Sequence, residues 1–144
     1  MSPPISGRAA QLLLVEDSHA DARYVREVFK DAKLRNHLHH APDAETALEL
    51  LRSQTLVPDL VLLDMHLPGM QGAALVAELR ADPRTAALPI VLLAPSELHA
   101  ERLRAERIDA QFCLLKPVDV RALFDIVSRI DSLAVAVVTD GEAA

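Results

Sequence analysis

Short apolar runs alternate along the chain with stretches in which apolar positions recur three and four residues apart. The runs are Gln11–Val15 (QLLLV), Pro58–Leu63 (PDLVLL), Pro89–Leu93 (PIVLL) and Phe112–Leu115 (FCLL), with a weaker one at Asn36–Ala41 (NHLHHA). Runs this short, bounded by turn residues, predict buried strands. Between them, Ala22, Val25, Val28, Phe29 and Ala32 share one helical face. So do Ala44, Ala47, Leu48 and Leu51, then Leu75, Val76 and Leu79. Leu98, Leu103 and Ile108 mark a fourth helix, and Val120, Leu123, Ile126, Val127 and Ile130 a fifth. Ser18-His-Ala-Asp21 has the form of a capping box, and Asp43, Ser96 and Asp119 are residues that cap helix N-termini. Asp82-Pro83 ends the third helix, because the residue before a proline avoids helical backbone.

Five strands thus alternate with five helices, and the strands are apolar without a polar face. That pattern implies a parallel sheet covered on both sides. The expected fold class is α/β, a doubly wound five-stranded parallel sheet of order 2-1-3-4-5, flavodoxin-like. Such sheets carry their sites beyond the carboxyl ends of the strands, where the winding reverses between strands 1 and 3. In this chain the first strand runs into Glu16-Asp17, the third into Asp64 and the fifth into Lys116-Pro117.

Three carboxylates meeting at one sheet edge repel one another unless a cation sits among them. An all-oxygen donor set suits Mg²⁺. Lys116 would add a point charge at the same edge. A carboxylate nucleophile, a divalent ion and a lysine suffice for phosphoryl uptake: the cations neutralise the phosphoryl oxygens while the carboxylate forms an acyl phosphate. Any one acid is a weak signal; three acids and a lysine, each just past a strand, are a strong one.

On these residues the chain resembles the receiver domains of bacterial response regulators. Leu13-Leu-Val-Glu-Asp17, Pro58-Asp-Leu-Val-Leu-Leu-Asp64, Leu67-Pro-Gly-Met70 and Leu115-Lys-Pro117 carry the resemblance, which spans about Gln11 to Ile130. It implies that Asp64 is the phosphoacceptor, Asp17 a direct Mg²⁺ ligand and Glu16 a second acid acting through water. It implies that the backbone carbonyl of His66 ligates the ion and that Lys116 contacts the phosphoryl group, with Pro117 often in a cis bond. The protein would then be a phosphoacceptor that assists its own phosphorylation and dephosphorylation, not an enzyme in the ordinary sense. Its partner would be a sensor histidine kinase. Val15-Glu-Asp-Ser18, Asp21-Ala-Arg23, Arg26-Glu27 and Ile130-Asp-Ser-Leu133 are further similar to the single-domain regulators paired with bacterial phytochromes, which implies a phytochrome-type kinase.

Two positions depart from the family. Where it has Ser or Thr at the end of strand 4, this chain has Ala94; Ser96, two residues on, is the nearest hydroxyl. The family's rotating aromatic, three before the lysine, falls at Cys113. The expectation is that phosphorylation persists while its transmission is altered. A degenerate receiver, serving only as a dimerisation or binding platform, is the alternative. A phosphatase of the haloacid-dehalogenase type would need a second acid two residues after the first, where His66 stands.

Composition narrows the partners. The chain has 144 residues, 51% of them hydrophobic and 25% charged, enough for one globular core. A formal net charge of −6 argues against a general nucleic-acid surface. No membrane span and no secretory signal are expected, and a single cysteine excludes an internal disulfide; a cytoplasmic protein is the consistent reading. His37, His39 and His40 lack an acid or cysteine partner in sequence and read as a solvated edge strand. Residues 1–10 read as a flexible tail, 11–131 as the receiver domain and 132–144 as a C-terminal arm. Ser132–Thr139 (SLAVAVVT) is apolar on both alternating faces, and no slot for it remains in the sheet. Leu133, Val135 and Val137 are expected to pack on a second copy, giving a homodimer at the face of the fourth helix, fifth strand and fifth helix.

Overall fold

The apolar runs form strands and the periodic stretches form helices, in strict alternation. The computed structural model describes residues 10–31, 36–67, 69–110 and 112–128. The order is β1 (Ala10–Val15), α1 (His19–Asp31), β2 (Asn36–Ala41), α2 (Ala44–Arg52), β3 (Leu60–Asp64), α3 (Gly72–Ala81), β4 (Ile90–Ala94), α4 (Glu97–Ala105), β5 (Phe112–Leu115) and α5 (Val120–Ser128). The strands make one sheet in the order β2-β1-β3-β4-β5, with every neighbouring pair parallel. β1 begins one residue earlier than its pattern suggests: Ala10, assigned to the tail by composition, is buried and pairs with Asn36. The segments 1–9 and 129–144 lie outside the described residues, and with them the arm residues Leu133, Val135 and Val137.

Alternate residues of each inner strand face opposite layers. Leu13, Val15, Val61, Leu63, Ile90 and Leu92 pack on Ala47, Leu48 and Leu51 of α2 and Leu75, Val76 and Leu79 of α3. Leu12, Leu14, Leu60, Leu62, Val91 and Leu93 pack on Ala22, Val25 and Phe29 of α1 and on Leu123 and Ile126 of α5. The unbroken leucine runs are therefore two interleaved faces, each with its own helices. Burying one leucine side chain in this way contributes about 1.5–3 kcal/mol. α4 is the exception to the helical reading. Its buried residue is Ala100, and Leu103 packs partly buried on the core, while Leu98 is 56% exposed.

The register aligns the carboxyl ends. Val15 stands opposite both Ala41 and Leu63, Asp64 opposite Leu93, and Ala94 opposite Leu115. Glu16, Asp64 and Lys116 consequently emerge along one edge. The loop after β3 is shaped by two glycines. Gly69 has φ +71°, a backbone that side chains other than glycine rarely adopt. A Cβ on Gly72 would stand 2.9 Å from Met65 Cα, so only glycine lets α3 start against the end of β3. No helix among the described residues is long and apolar enough to cross a membrane.

Candidate functional site at the strand ends

Asp64 closes β3 and is 5% exposed, and Glu16, directly after β1, is fully buried. Asp17 follows on the exposed side of the turn into α1. One carboxylate oxygen from each of Glu16, Asp17 and Asp64 lies within 4.8 Å of the other two. Lys116 enters from the far side of the sheet. Its backbone N–H donates to the Ala94 carbonyl at 2.8 Å, and the Lys116–Pro117 peptide is cis. Its ammonium donates to Glu16 Oε1 at 2.7 Å, Asp21 Oδ2 at 2.9 Å and Asp64 Oδ2 at 3.3 Å. An ammonium has three donors, and here each meets a different carboxylate. The other Asp64 oxygen accepts the His66 backbone N–H at 3.1 Å.

Burial in the core edge pushes the Glu16 carboxyl up to about 7, and the adjoining Asp64 pushes the same way against the pull of Lys116. Burial alone would lower the Lys116 ammonium, but its bonds to Glu16 and Asp21 and the charge of Asp64 outweigh burial and raise it. The cluster thus holds more negative charge than one lysine neutralises. Carboxylate oxygens gathered this closely, one of them held near its protonation point, are the donor set a hard divalent cation takes. The residues fit such an ion.

Glu16, Asp17, Asp64 and Lys116 are therefore brought together as expected. The structure adds Asp21, which the sequence presented as part of a capping box. Ser18 Oγ does accept the Asp21 N–H at 3.1 Å. The reciprocal half is absent: the Ser18 N–H goes to Glu16 Oε2 at 3.2 Å, and the Asp21 carboxylate goes to Lys116. The histidine strand also needs correcting. β2 is an edge strand and His37 is exposed, but His39 Nε2 lies 3.0 Å from Gln11 Oε1, and His40 Nε2 lies 2.6 Å from the Glu16 carbonyl.

The altered positions differ in character from these. Ala94 is fully buried at the end of β4 and offers no hydroxyl. Ser96 does not take over, because its Oγ caps α4. It accepts the His99 N–H at 3.3 Å and sits 2.7 Å from His99 Nδ1. The His99 ring meets the His66 ring edge-on, with centroids 5.3 Å apart. Cys113 is half-buried in β5 beside Leu92, Leu103 and Ile108, and burial pushes its thiol up, away from the reactive thiolate.

A family model described as the response regulator receiver domain matches residues 12–128. The response regulator Rcp1 of Synechocystis sp. is 32% identical over 133 residues, covering 89% of this chain and 90% of Rcp1. The Mn²⁺-bound form of Rcp1 superposes with a TM-score of 0.67 at 30% identity, over 90% of this chain and 97% of that one. The phosphorylated cyanobacterial phytochrome response regulator RcpA gives 0.68 at 27% identity, over 88% and 94%. The bacteriophytochrome response regulator AtBRR gives 0.77 at 24% identity, over 89% and 94%, a likeness of fold.

Proposed function

The chain belongs to the response regulator receiver domain family, and on that premise we propose that it accepts a phosphoryl group on Asp64 from the phosphohistidine of a sensor histidine kinase. The observation that carries the reading is the shared lysine: Lys116 spans Glu16 and Asp64 at the carboxyl ends of β1 and β3 and Asp21 in the first turn of α1. An Asp64 oxygen attacks phosphorus in line. The new P–O bond forms as the P–N bond to imidazole breaks, and the departing nitrogen keeps the electron pair. Lys116, already beside Asp64, pairs with the phosphoryl oxygens as the acyl phosphate forms. Glu16 and Asp21 keep its ammonium aimed at that point. Asp17, Asp64, the backbone carbonyl of His66 and, through water, Glu16 would hold Mg²⁺, which supplies further positive charge against the same oxygens. Hydrolysis of the acyl phosphate at the same residues would return the protein to its starting state.

The phytochrome response regulators among its relatives support a phytochrome-type kinase, and ATP-dependent kinases of this kind imply a cytoplasmic setting. The arm after Asp131 would join two copies as a homodimer, with the receiver domain ending before it. Truncation after Asp131 followed by light scattering tests this: conversion to a monomer is expected, and a fully dimeric truncated protein contradicts it. A second reading, a platform that binds partners without using phosphorylation, is favoured by Ala94 and by the commitment of Ser96 to His99. Intact-mass measurement after incubation with acetyl phosphate and Mg²⁺ separates the two. One phosphoryl adduct, absent in Asp64→Asn, is the expected result. Failure of the unsubstituted chain to gain an adduct from any small donor would favour the platform.

A further inference from the structure

Two hydrogen bonds reach the Glu16 backbone from β2, and one of them comes from a side chain with no part in the phosphoryl chemistry. The Glu16 N–H donates to the Ala41 carbonyl at 3.0 Å. His40, next to last in β2 and half-buried, brings Nε2 to 2.6 Å from the Glu16 carbonyl oxygen. A carbonyl oxygen only accepts, so Nε2 carries a proton and donates it. Both backbone polar groups of Glu16 are thus held from the same strand, at the residue where β1 ends and the chain turns toward α1.

The held carbonyl belongs to the peptide plane that also contains the Asp17 nitrogen. Because that unit is planar, fixing its oxygen fixes the direction in which Asp17 leaves the sheet. Asp17 has no comparable anchor of its own. It is exposed, and among the described residues nothing forms a hydrogen bond or ion pair with its carboxylate, whereas Glu16 and Asp64 are each held by Lys116 and a backbone N–H. The aim of Asp17 therefore depends on the backbone that carries it.

We propose that His40 is a positioning residue for the divalent-ion site, acting through the Glu16 carbonyl to aim Asp17. The inference rests on the reading of Glu16, Asp17 and Asp64 as that site. A histidine on an edge strand three residues after exposed His37 looks like a solvated side chain in sequence, yet its ring reaches the carbonyl just past the end of β1. Partners that orient metal-ligating groups from behind typically affect metal affinity by about 10–100-fold. His40 stands one step further back, since it holds the peptide and not the carboxylate, so the low end of that range applies.

The test uses the full chain with Mn²⁺ alone, following free Mn²⁺ by electron paramagnetic resonance, beside thermal melts of the metal-free protein. His40→Leu fills similar space without a donor, and His40→Gln keeps an N–H that can reach the carbonyl. The expected result is an Mn²⁺ dissociation constant raised about tenfold in His40→Leu, with His40→Gln closer to the unsubstituted chain. In acetyl phosphate reactions, His40→Leu should need more Mg²⁺ but regain its maximal rate at saturation. Unchanged Mn²⁺ affinity in His40→Leu, with or without a lower melting temperature, would make the residue purely structural and overturn the proposal. So would a loss in His40→Gln as large as in His40→Leu. Equal Mn²⁺ affinity in the unsubstituted chain and Asp17→Asn would instead remove the metal reading on which both rest.

Discussion

The carboxyl ends of β1 and β3 and those of β4 and β5 share one sheet edge but are built differently. β1 and β3 are buried along nearly their whole length and end in Glu16 and Asp64, whose side chains are gripped by Lys116 and by backbone N–H groups. β4 is equally buried but ends in Ala94, which has no polar side chain, and β5 is half-buried as far as Leu114 and ends in Leu115, 41% exposed. The two halves meet through Lys116, which hangs from the Ala94 carbonyl by its backbone and from the acids by its side chain. On the proposed function, taking up a phosphoryl group would use the first half and Lys116. Reporting it through a hydroxyl at the end of β4 would need the second. One half can therefore stay complete while the other changes.

The largest expected contrast lies in uptake itself. Lys116→Met should slow acyl phosphate formation from acetyl phosphate by about 10²-fold or more, the usual cost of removing a preorganised charge from developing negative charge. Ala94→Thr should leave that rate within about threefold, roughly 0.6 kcal/mol. A large gain from Ala94→Thr would mean that the missing hydroxyl limits uptake and that the halves are not separable. Stability should divide along the same line. Leu14→Ala, in a fully buried strand, should cost about 2–5 kcal/mol in urea unfolding. Leu115→Ala, on the exposed edge, should cost under about 1 kcal/mol.

The buried acid adds a pH signature to the first half. Glu16 titrates near 7 in the fold, against 4.5 as its ordinary value. An acid whose folded pKa is raised binds a proton more readily in the native state, so stability is present at low pH and declines as pH rises from about 4.5 to 7. In metal-free buffer, Glu16→Gln should be more stable relative to the unsubstituted chain at pH 8 than at pH 4, by melting temperature. No pH dependence in that difference would mean that Glu16 is ionised at no cost. A purely local effect belongs to the second half. Ser96→Ala should remove the α4 cap and cost about 1 kcal/mol without affecting uptake.

What sequence reveals follows the same division. The sheet order and the edge where acids gather are legible because continuous apolar runs admit few other arrangements, and because parallel sheets place their sites at strand ends. The roles of single side chains at that edge are less legible. Asp21 sits at a capping-box position, and only the fold brings Lys116, 95 residues away, within 2.9 Å of it. His40 has no sequence neighbour that signals its bond to Glu16; the parallel register of β1 and β2 creates it. Leu98 and Leu103 both mark the fourth helix in sequence, but only Leu103 packs on the core beside buried Ala100, five residues apart being too far round the helix for Leu98 to share that face. Ser96 could be a cap or a substitute hydroxyl by sequence, and the His99 bonds decide for the cap.

The most direct test of the central claim is to locate the modification chemically. An acyl phosphate can be trapped by borohydride, which reduces the modified aspartate to homoserine at that residue alone. After phosphorylation with acetyl phosphate and Mg²⁺, peptide mapping should find homoserine at position 64 and at no other acid, with the yield falling sharply in Lys116→Met. Homoserine at Asp17 or Asp21, the one-carbon-longer 2-amino-5-hydroxypentanoic acid at Glu16, or no reduced acid in a protein that carries the adduct by mass, would contradict the assignment of Asp64.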